Sequence, residues 1–169
     1  TISFILSIAL FLSTLPLSAI TVGATTSGNY TYSVSDGKAI ITGYNTEPSG
    51  TLSFPDTIDG YPVVMIGGFS FQNCTKISKV IVPEGVTSIG PYAFYGCTSL
   101  LEISIPNTVT EIGTYSFYGC SFLYQIVIPD SVEFIGQNSF YRCTNLKKMT
   151  IPFVGGSEYA NTFFNYIFG

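Results

Sequence analysis

Residues 89–111, IGPYAFYGCTSLLEISIPNTVTE, and residues 112–134, IGTYSFYGCSFLYQIVIPDSVEF, are two versions of one 23-residue unit. The unit also occurs before and after them, as the cysteines show: they recur every 23 residues from Cys74 to Cys143. Proline, phenylalanine and Ile-Gly pairs repeat with the same spacing. A period of roughly 20 to 29 residues is typical of a solenoid, in which stacked coils share one continuous core. The sequence therefore predicts a solenoid.

Each coil is predicted to contain one strand, one tight turn and one helical turn. Ile103 and Ile105 lie two residues apart, which places both side chains on the inward face of a strand. Pro106 follows, and because proline has no amide hydrogen for a ladder it ends the strand. In the next segment the apolar residues lie three or four apart, as in one turn of α-helix or 3₁₀ helix. No single coil has enough apolar surface to fold alone, so the stack is the folding unit.

The repeats divide the chain into four predicted parts. In chain order these are a signal peptide without its N-terminal end (1–24), a cap with an irregular first coil (25–65), four 23-residue repeats (66–152) and the start of a truncated C-terminal segment (153–169). The cap is expected to be a β-hairpin, because apolar and polar residues alternate on both sides of Asp36-Gly37. The extra residues of the first coil, which include Gly60-Tyr61-Pro62, are expected to form a loop.

The N-terminal 24 residues indicate where the protein acts. Residues 2–22 carry no charge, and small residues follow at Gly23 and Ala24, as at a signal-peptide cleavage site. A retained membrane anchor is the alternative, since about 20 apolar residues can span a bilayer. Pro16 and Ser18 interrupt the second half of the run, which favours cleavage. We therefore expect a secreted or cell-surface protein that contacts a membrane only through this segment, if it is uncleaved.

Composition argues against several classes of function. The chain has 6 basic and 10 acidic residues and no basic patch, which argues against a nucleic-acid partner. It has no histidine, which removes Ser-His-Asp catalysis and imidazole-ligated metals. The acidic residues are spread over different coil positions, and no glycine-rich phosphate loop follows a strand. The sequence therefore predicts a protein that is not an enzyme and has no cofactor or metal.

The four cysteines allow two interpretations. In a secreted chain an even number of cysteines normally indicates disulfides. In stacked coils, however, equivalent side chains would lie parallel at a spacing of about 4.8 Å. A disulfide needs Cβ atoms about 3.8 Å apart in a twisted geometry. This favours a row of free, buried thiols, with some bridging as the open alternative.

The unit I-G-x-x-A/S-F-x-x-C-x-x-L-x-x-I-x-I-P-x-x-V resembles the repeat of the BspA-like leucine-rich repeat family. The resemblance covers residues 66–152. It implies a right-handed solenoid with a parallel β-sheet on the concave face and short helical or 3₁₀ turns on the convex side. It also implies a secreted or surface-attached protein. Some members of the family are linked to adhesion. The defining residues of the repeat are core residues, so the resemblance locates no binding site.

Two exposed stripes could bind a partner. The first is the outward row of the concave sheet, where we predict contacts to an extracellular protein or glycan through Lys79, Ile81, Glu102, Ser104, Gln125, Val127, Lys148 and Thr150. The second comprises Tyr95, Tyr118 and Tyr141, whose rings either offer flat faces to a ligand or shield the outer edge of the turns. The alternative function is a non-catalytic spacer or targeting module of a larger extracellular protein, such as a hydrolase.

Overall fold

A computed structural model describes residues 22–152 and 168–169, and its strands form two sheets. The five-stranded sheet consists of β4 (Gly50–Ser53), β7 (Ile77–Ile81), β9 (Glu102–Ser104), β11 (Gln125–Val127) and β13 (Lys148–Thr150). The eight-stranded sheet consists of β1 (Val22–Ser27), β2 (Tyr30–Ser35), β3 (Lys38–Tyr44), β5 (Thr57–Ile58), β6 (Tyr61–Ile66), β8 (Ser88–Ile89), β10 (Glu111–Ile112) and β12 (Phe134–Ile135).

The five-stranded sheet is parallel, and from β7 onwards it joins residues that are 23 positions apart. Val80 pairs with Ile103, and Ile103 pairs with Ile126. All three side chains are buried, as the alternating pattern predicted. The predicted solenoid of stacked, in-register coils is therefore confirmed.

A second parallel ladder, which the repeat pattern did not predict, runs through the Ile-Gly pairs. Ile66 pairs with Ile89, Ile89 with Ile112, and Ile112 with Ile135. From β8 onwards these strands are only two residues long, and a glycine follows each of them. Each regular coil therefore contributes one strand to each sheet.

The glycine after each short strand allows neighbouring coils to approach closely. A Cβ atom on Gly113 would lie 2.5 Å from the Pro91 nitrogen and 2.6 Å from the Gly90 carbonyl carbon. The Gly113 amide donates a hydrogen bond to the Ile89 carbonyl at 2.8 Å. No side chain fits at this contact without moving a neighbouring coil.

The segments between the two sheets are chains of β-turns, and the expected helical or 3₁₀ turn is not confirmed. The amides of Tyr92 and Phe94 donate to carbonyls of the next coil, at 3.0 and 2.8 Å. Between them, the Ala93 amide closes a four-residue β-turn on the Gly90 carbonyl at 3.3 Å, and the Tyr95 amide closes the next one on the Tyr92 carbonyl at 3.2 Å. A helix needs consecutive amides bonded within one segment, whereas here every second amide belongs to the ladder between coils. Left-handed φ angles at Tyr92 (58°) and Gly96 (70°) also interrupt any helix.

Phenylalanine rings form the centre of the core. Phe71, Phe94, Phe117 and Phe140 are buried, and their centroids lie 5.4–5.6 Å apart from one coil to the next. Phe168 extends the row, with its centroid 6.2 Å from that of Phe140. Burying one such ring contributes roughly 1.5–3 kcal/mol, so the row is a major part of the stabilisation.

The four cysteines are free thiols in a second row beside the phenylalanines. The Sγ atoms of Cys97, Cys120 and Cys143 each donate to a phenylalanine carbonyl of the preceding coil, at 3.1–3.2 Å. Burial raises the pKa of Cys97 and Cys143 to about 12, and raises that of Cys120 well above its usual range. The thiols of Cys97, Cys120 and Cys143 therefore serve as small core groups with one weak hydrogen bond each.

The N-terminal region contains three antiparallel hairpins, which pair β1 with β2, β2 with β3 and β5 with β6. Strands β2 and β3 are antiparallel and joined by Asp36-Gly37, whose φ angles of 50° and 70° suit a two-residue turn. The loop expected at Gly60-Tyr61-Pro62 is instead part of a hairpin, because β5 pairs with β6 around Asp59 and Gly60. The Asp59 carboxylate accepts hydrogen bonds from the Ser27 and Tyr32 hydroxyls at 2.7 and 2.6 Å, which lower its pKa.

Two predicted segments lie largely outside the described residues. Most of the predicted signal peptide (1–24) does so, and its last three residues belong to β1. Of the predicted C-terminal segment (153–169), only Phe168 and Gly169 are described. Within the described ranges, no helix has the length and apolar character needed to cross a membrane.

Replacing Gly113 with alanine tests the close approach of the coils. We expect G113A to lower the free energy of unfolding by about 3 kcal/mol, because the new methyl group overlaps the backbone of the preceding coil. Urea unfolding followed by circular dichroism measures the loss. E111A, at an exposed position of the same coil, is the matched control. Equal stability of the two variants would contradict the packing described above.

Thiol reactivity tests the cysteine row. At pH 8 a thiol with a pKa of about 12 is ionised at a fraction of roughly 10⁻⁴, so Cys97 and Cys143 should react with Ellman's reagent only after unfolding. We expect four thiols per chain in denaturant. Fewer than four would show that some cysteines are bridged, and rapid reaction of Cys120 in the native protein would show that the core is open.

Candidate binding face

The eight predicted contact residues lie on the outer face of the five-stranded sheet, which we call the binding face. One row contains Lys79, Glu102, Gln125 and Lys148, each paired with its neighbour in register. The second row lies two residues further along each strand, where Ile81 pairs with Ser104 and Val127 with Thr150. The structure thus brings all eight residues onto one surface, although whether they bind a partner stays a prediction.

The binding face combines polar groups with exposed apolar side chains. Val127 is 61% exposed and Ile81 is 37% exposed. In the other row, the Lys79 ammonium and the Glu102 carboxylate form an ion pair at 2.5 Å, with both side chains about two-fifths exposed. An exposed pair of this kind contributes about 0–1 kcal/mol to stability, so the fold does not depend on it.

Two further apolar residues belong to this face and were missed. Leu101 and Tyr124 are 48% and 49% exposed and lie on neighbouring coils, since the Tyr124 amide donates to the Leu101 carbonyl at 3.1 Å. The pattern L-x-x-I has two outward positions before the strand isoleucine. Strand alternation predicted only the second of them. The 23-residue spacing of Leu101 and Tyr124 was the signal that could have revealed the first.

These residues surround an open depression of about 350 Å³. It is lined by Thr51, Ser78, Lys79, Leu101, Glu102, Tyr124 and Gln125. Apolar side chains from two coils flank the Lys79–Glu102 ion pair, so the depression offers both an apolar contact and hydrogen-bonding groups. This is the composition that protein-recognition surfaces commonly have.

The tyrosine stripe has a different character. The Tyr95 and Tyr118 rings stack with centroids 4.7 Å apart and planes 3° from parallel. Tyr141 lies against Tyr118 at 5.5 Å, and the Arg142 guanidinium sits 5.8 Å from the Tyr118 centroid. Because Tyr95 and Tyr118 stack face to face, the faces that they turn towards each other are not free to stack on a sugar. The structure therefore favours the interpretation that these tyrosines shield the turns.

Among residues 22–152 and 168–169, no three or more His, Cys, Asp or Glu side chains are grouped so that they could hold a metal ion. The titratable groups of the binding face are the Lys79–Glu102 pair and Lys148, together with Tyr124 at the depression. The chemistry that this arrangement offers is non-covalent: ion pairing, hydrogen bonding and apolar contact.

The fold and repeat define the class of this protein as a leucine-rich repeat solenoid. The chain belongs to the BspA type leucine rich repeat family, because the model of that repeat region matches residues 44–167 in six copies. Comparison with curated proteins gave no match.

Solved structures of bacterial leucine-rich repeat proteins are similar to this chain. One from Bacteroides capillosus is 28% identical with a TM-score of 0.66, and the match covers 76% of this chain and 98% of that one. A leucine rich cell surface protein from Faecalibacterium prausnitzii is 27% identical with a TM-score of 0.61, covering 78% and 43%. A T. pallidum leucine-rich repeat protein, 24% identical with a TM-score of 0.57 and coverage of 76% and 82%, shares the fold.

Neighbouring residues of one strand provide a test of the binding face. We expect V127S to change the free energy of unfolding by less than about 0.5 kcal/mol, because Val127 is exposed. I126S should cost about 3 kcal/mol or more, since it removes buried apolar atoms and buries a hydroxyl. Urea unfolding of both variants measures the difference. If V127S were as damaging as I126S, the outward assignment of this row would be wrong.

Proposed function

We propose that this chain is a secreted or cell-surface leucine-rich repeat protein that binds a protein or glycan partner through the binding face. The observation that carries the proposal is the exposure of four apolar side chains, Ile81, Leu101, Tyr124 and Val127, on a sheet of otherwise polar outward residues. Leu101 and Tyr124 lie together at the depression. Exposed apolar groups that lie together and are bordered by polar groups commonly mark interaction sites.

The backbone beneath the binding face supports this role. Every strand of the five-stranded sheet is hydrogen-bonded to its neighbours in a fixed register. The buried residues between the outward positions, such as Val80 and Ile126, anchor the strands to the core. A partner therefore meets side chains that are already positioned, which reduces the entropy lost on binding.

A location outside the cell is supported by two independent features. The family includes surface proteins, and the similar Faecalibacterium prausnitzii protein is a cell surface protein. In addition, residues 2–22 have the uncharged, apolar character of a secretion signal.

The binding face can be tested with a triple variant, I81S/Y124S/V127S. The purified chain is passed over immobilised host extracellular-matrix proteins, surface proteins of other bacteria and a glycan array. We expect the native chain to bind at least one of these, and the triple variant to lose at least about tenfold in affinity, because it removes three apolar contacts.

The matched control for this experiment is F134S. Phe134 is 45% exposed but lies in the eight-stranded sheet, away from the binding face. F134S should bind as the native chain does. Circular dichroism establishes that all variants are folded. Equal binding by the native chain and the folded triple variant would place the site elsewhere.

A further inference from the structure

Charge is segregated between two sides of each coil. The three bends that lead from the five-stranded to the eight-stranded sheet occupy residues 83–90, 106–113 and 129–136, and they contain no lysine or arginine. Their charged residues are all acidic and all exposed, namely Glu84, Glu111, Asp130 and Glu133. One side of the stack is therefore uniformly negative.

The binding face carries adjacent lysines that have no ion-pair partner within the described ranges. These are Lys147 and Lys148, and both are exposed. Lys79 is neutralised by Glu102, the acidic residue of the binding face. The binding face therefore has an excess of positive charge on a chain whose net charge is -4. Such an excess, on a molecule that is negative overall, favours an acidic partner over a basic one.

The two lysines adjoin the apolar depression. The amides of Lys147 and Lys148 both lie near the Tyr124 carbonyl, at 2.9 and 3.3 Å. Lys147 continues the row of Ser78, Leu101 and Tyr124 on the next coil. With coils about 4.8 Å apart, the positive charge lies one coil beyond Tyr124 and two beyond Leu101. An apolar group in the depression would thus have a cation about 1.5 to 3 residues away along an extended chain, which rises about 3.3 Å per residue.

We propose that the partner is a protein presenting an extended acidic segment, with one apolar side chain between Leu101 and Tyr124 and its carboxylates on Lys147 and Lys148. This inference rests on the proposed function and specifies the chemistry of the partner. The apolar contact supplies most of the affinity, while the lysines set the charge specificity and the association rate.

The same residues argue against two other kinds of acidic ligand. A nucleic acid would place phosphates along the whole face, where it would meet Glu102 near the centre and only two unpaired cations. An acidic glycan would find three aliphatic side chains, Ile81, Leu101 and Val127, and a single aromatic ring, Tyr124, where sugar recognition uses flat aromatic faces. Apolar side chains of a protein match this surface better.

Three fluorescent synthetic peptides test the inference by anisotropy titration. The first has a central leucine flanked on both sides by aspartate and glutamate, the second has asparagine and glutamine in their place, and the third has a central serine between the acidic residues. We expect the first to bind, with roughly tenfold weaker binding of each of the other two. Raising the salt from 50 to 300 mM should weaken binding of both acidic peptides and leave binding of the amide peptide unchanged.

Variants of the chain locate the site. K147E/K148E should bind the first peptide at least about tenfold more weakly than the native chain, and K148E should lie between them. K38E is the control for K148E, because it makes the same single change of charge. It lies at the exposed start of β3, away from the binding face, and should leave binding unchanged. Circular dichroism confirms folding of each variant.

Each outcome decides the question. Binding of the first peptide that falls in K147E/K148E and persists in K38E supports the inference. The inference is overturned if the acidic peptides do not bind at millimolar concentration or if the amide peptide binds equally well. Polygalacturonate is titrated as the acidic glycan, and its binding without binding of any peptide also overturns the inference. In the assay of the proposed function, loss of the partner in I81S/Y124S/V127S but not in K147E/K148E would refute the acidic partner alone. Retention of the partner by both variants would refute the binding face itself.

Discussion

The close approach of successive coils is the constraint on which the rest of the structure depends. At Gly113 the backbones of neighbouring coils are so near that a single methyl group has no room. This proximity lets amides of one coil bond to carbonyls of the next in both sheets and along the turns. It also brings like side chains together, so that Phe94 lies on Phe71 and Phe117. The sequence repeats every 23 residues because like residues of successive coils are in contact.

The inward positions could be predicted because they repeat with little variation. Val80, Ile103 and Ile126 are all aliphatic and all buried, and the cysteine row follows from the same spacing. Strands of two residues could not be recognised, since Glu111-Ile112 is too short to show an alternation. The turns were misjudged because apolar spacing suggested a helix, while hydrogen bonds to the next coil determine the backbone there. Such long-range bonds leave no local signal in a sequence.

The candidate site was predictable to a similar degree. Strand alternation placed Lys79, Gln125 and the other six residues on one face, and the structure agrees with that placement. Leu101 and Tyr124 were missed because two outward residues precede each strand isoleucine, and alternation identifies only one of them. The outward positions differ from coil to coil where the inward ones do not. Information that distinguishes partners can therefore reside only in the outward set, free of the demands of packing.

The left-handed residues of the turns show how far a coil depends on its neighbours. Phe69, Tyr92, Tyr115 and Asn138 occupy the same position of successive coils, and all have φ between 55° and 60°. For a side chain other than glycine this conformation costs about 1–2 kcal/mol. The cost recurs in every coil and is offset by bonds to the adjacent one, such as that from the Tyr92 amide to Thr114. An isolated repeat has no such compensation. The backbone conformation of each coil therefore depends on hydrogen bonds to the adjacent coil.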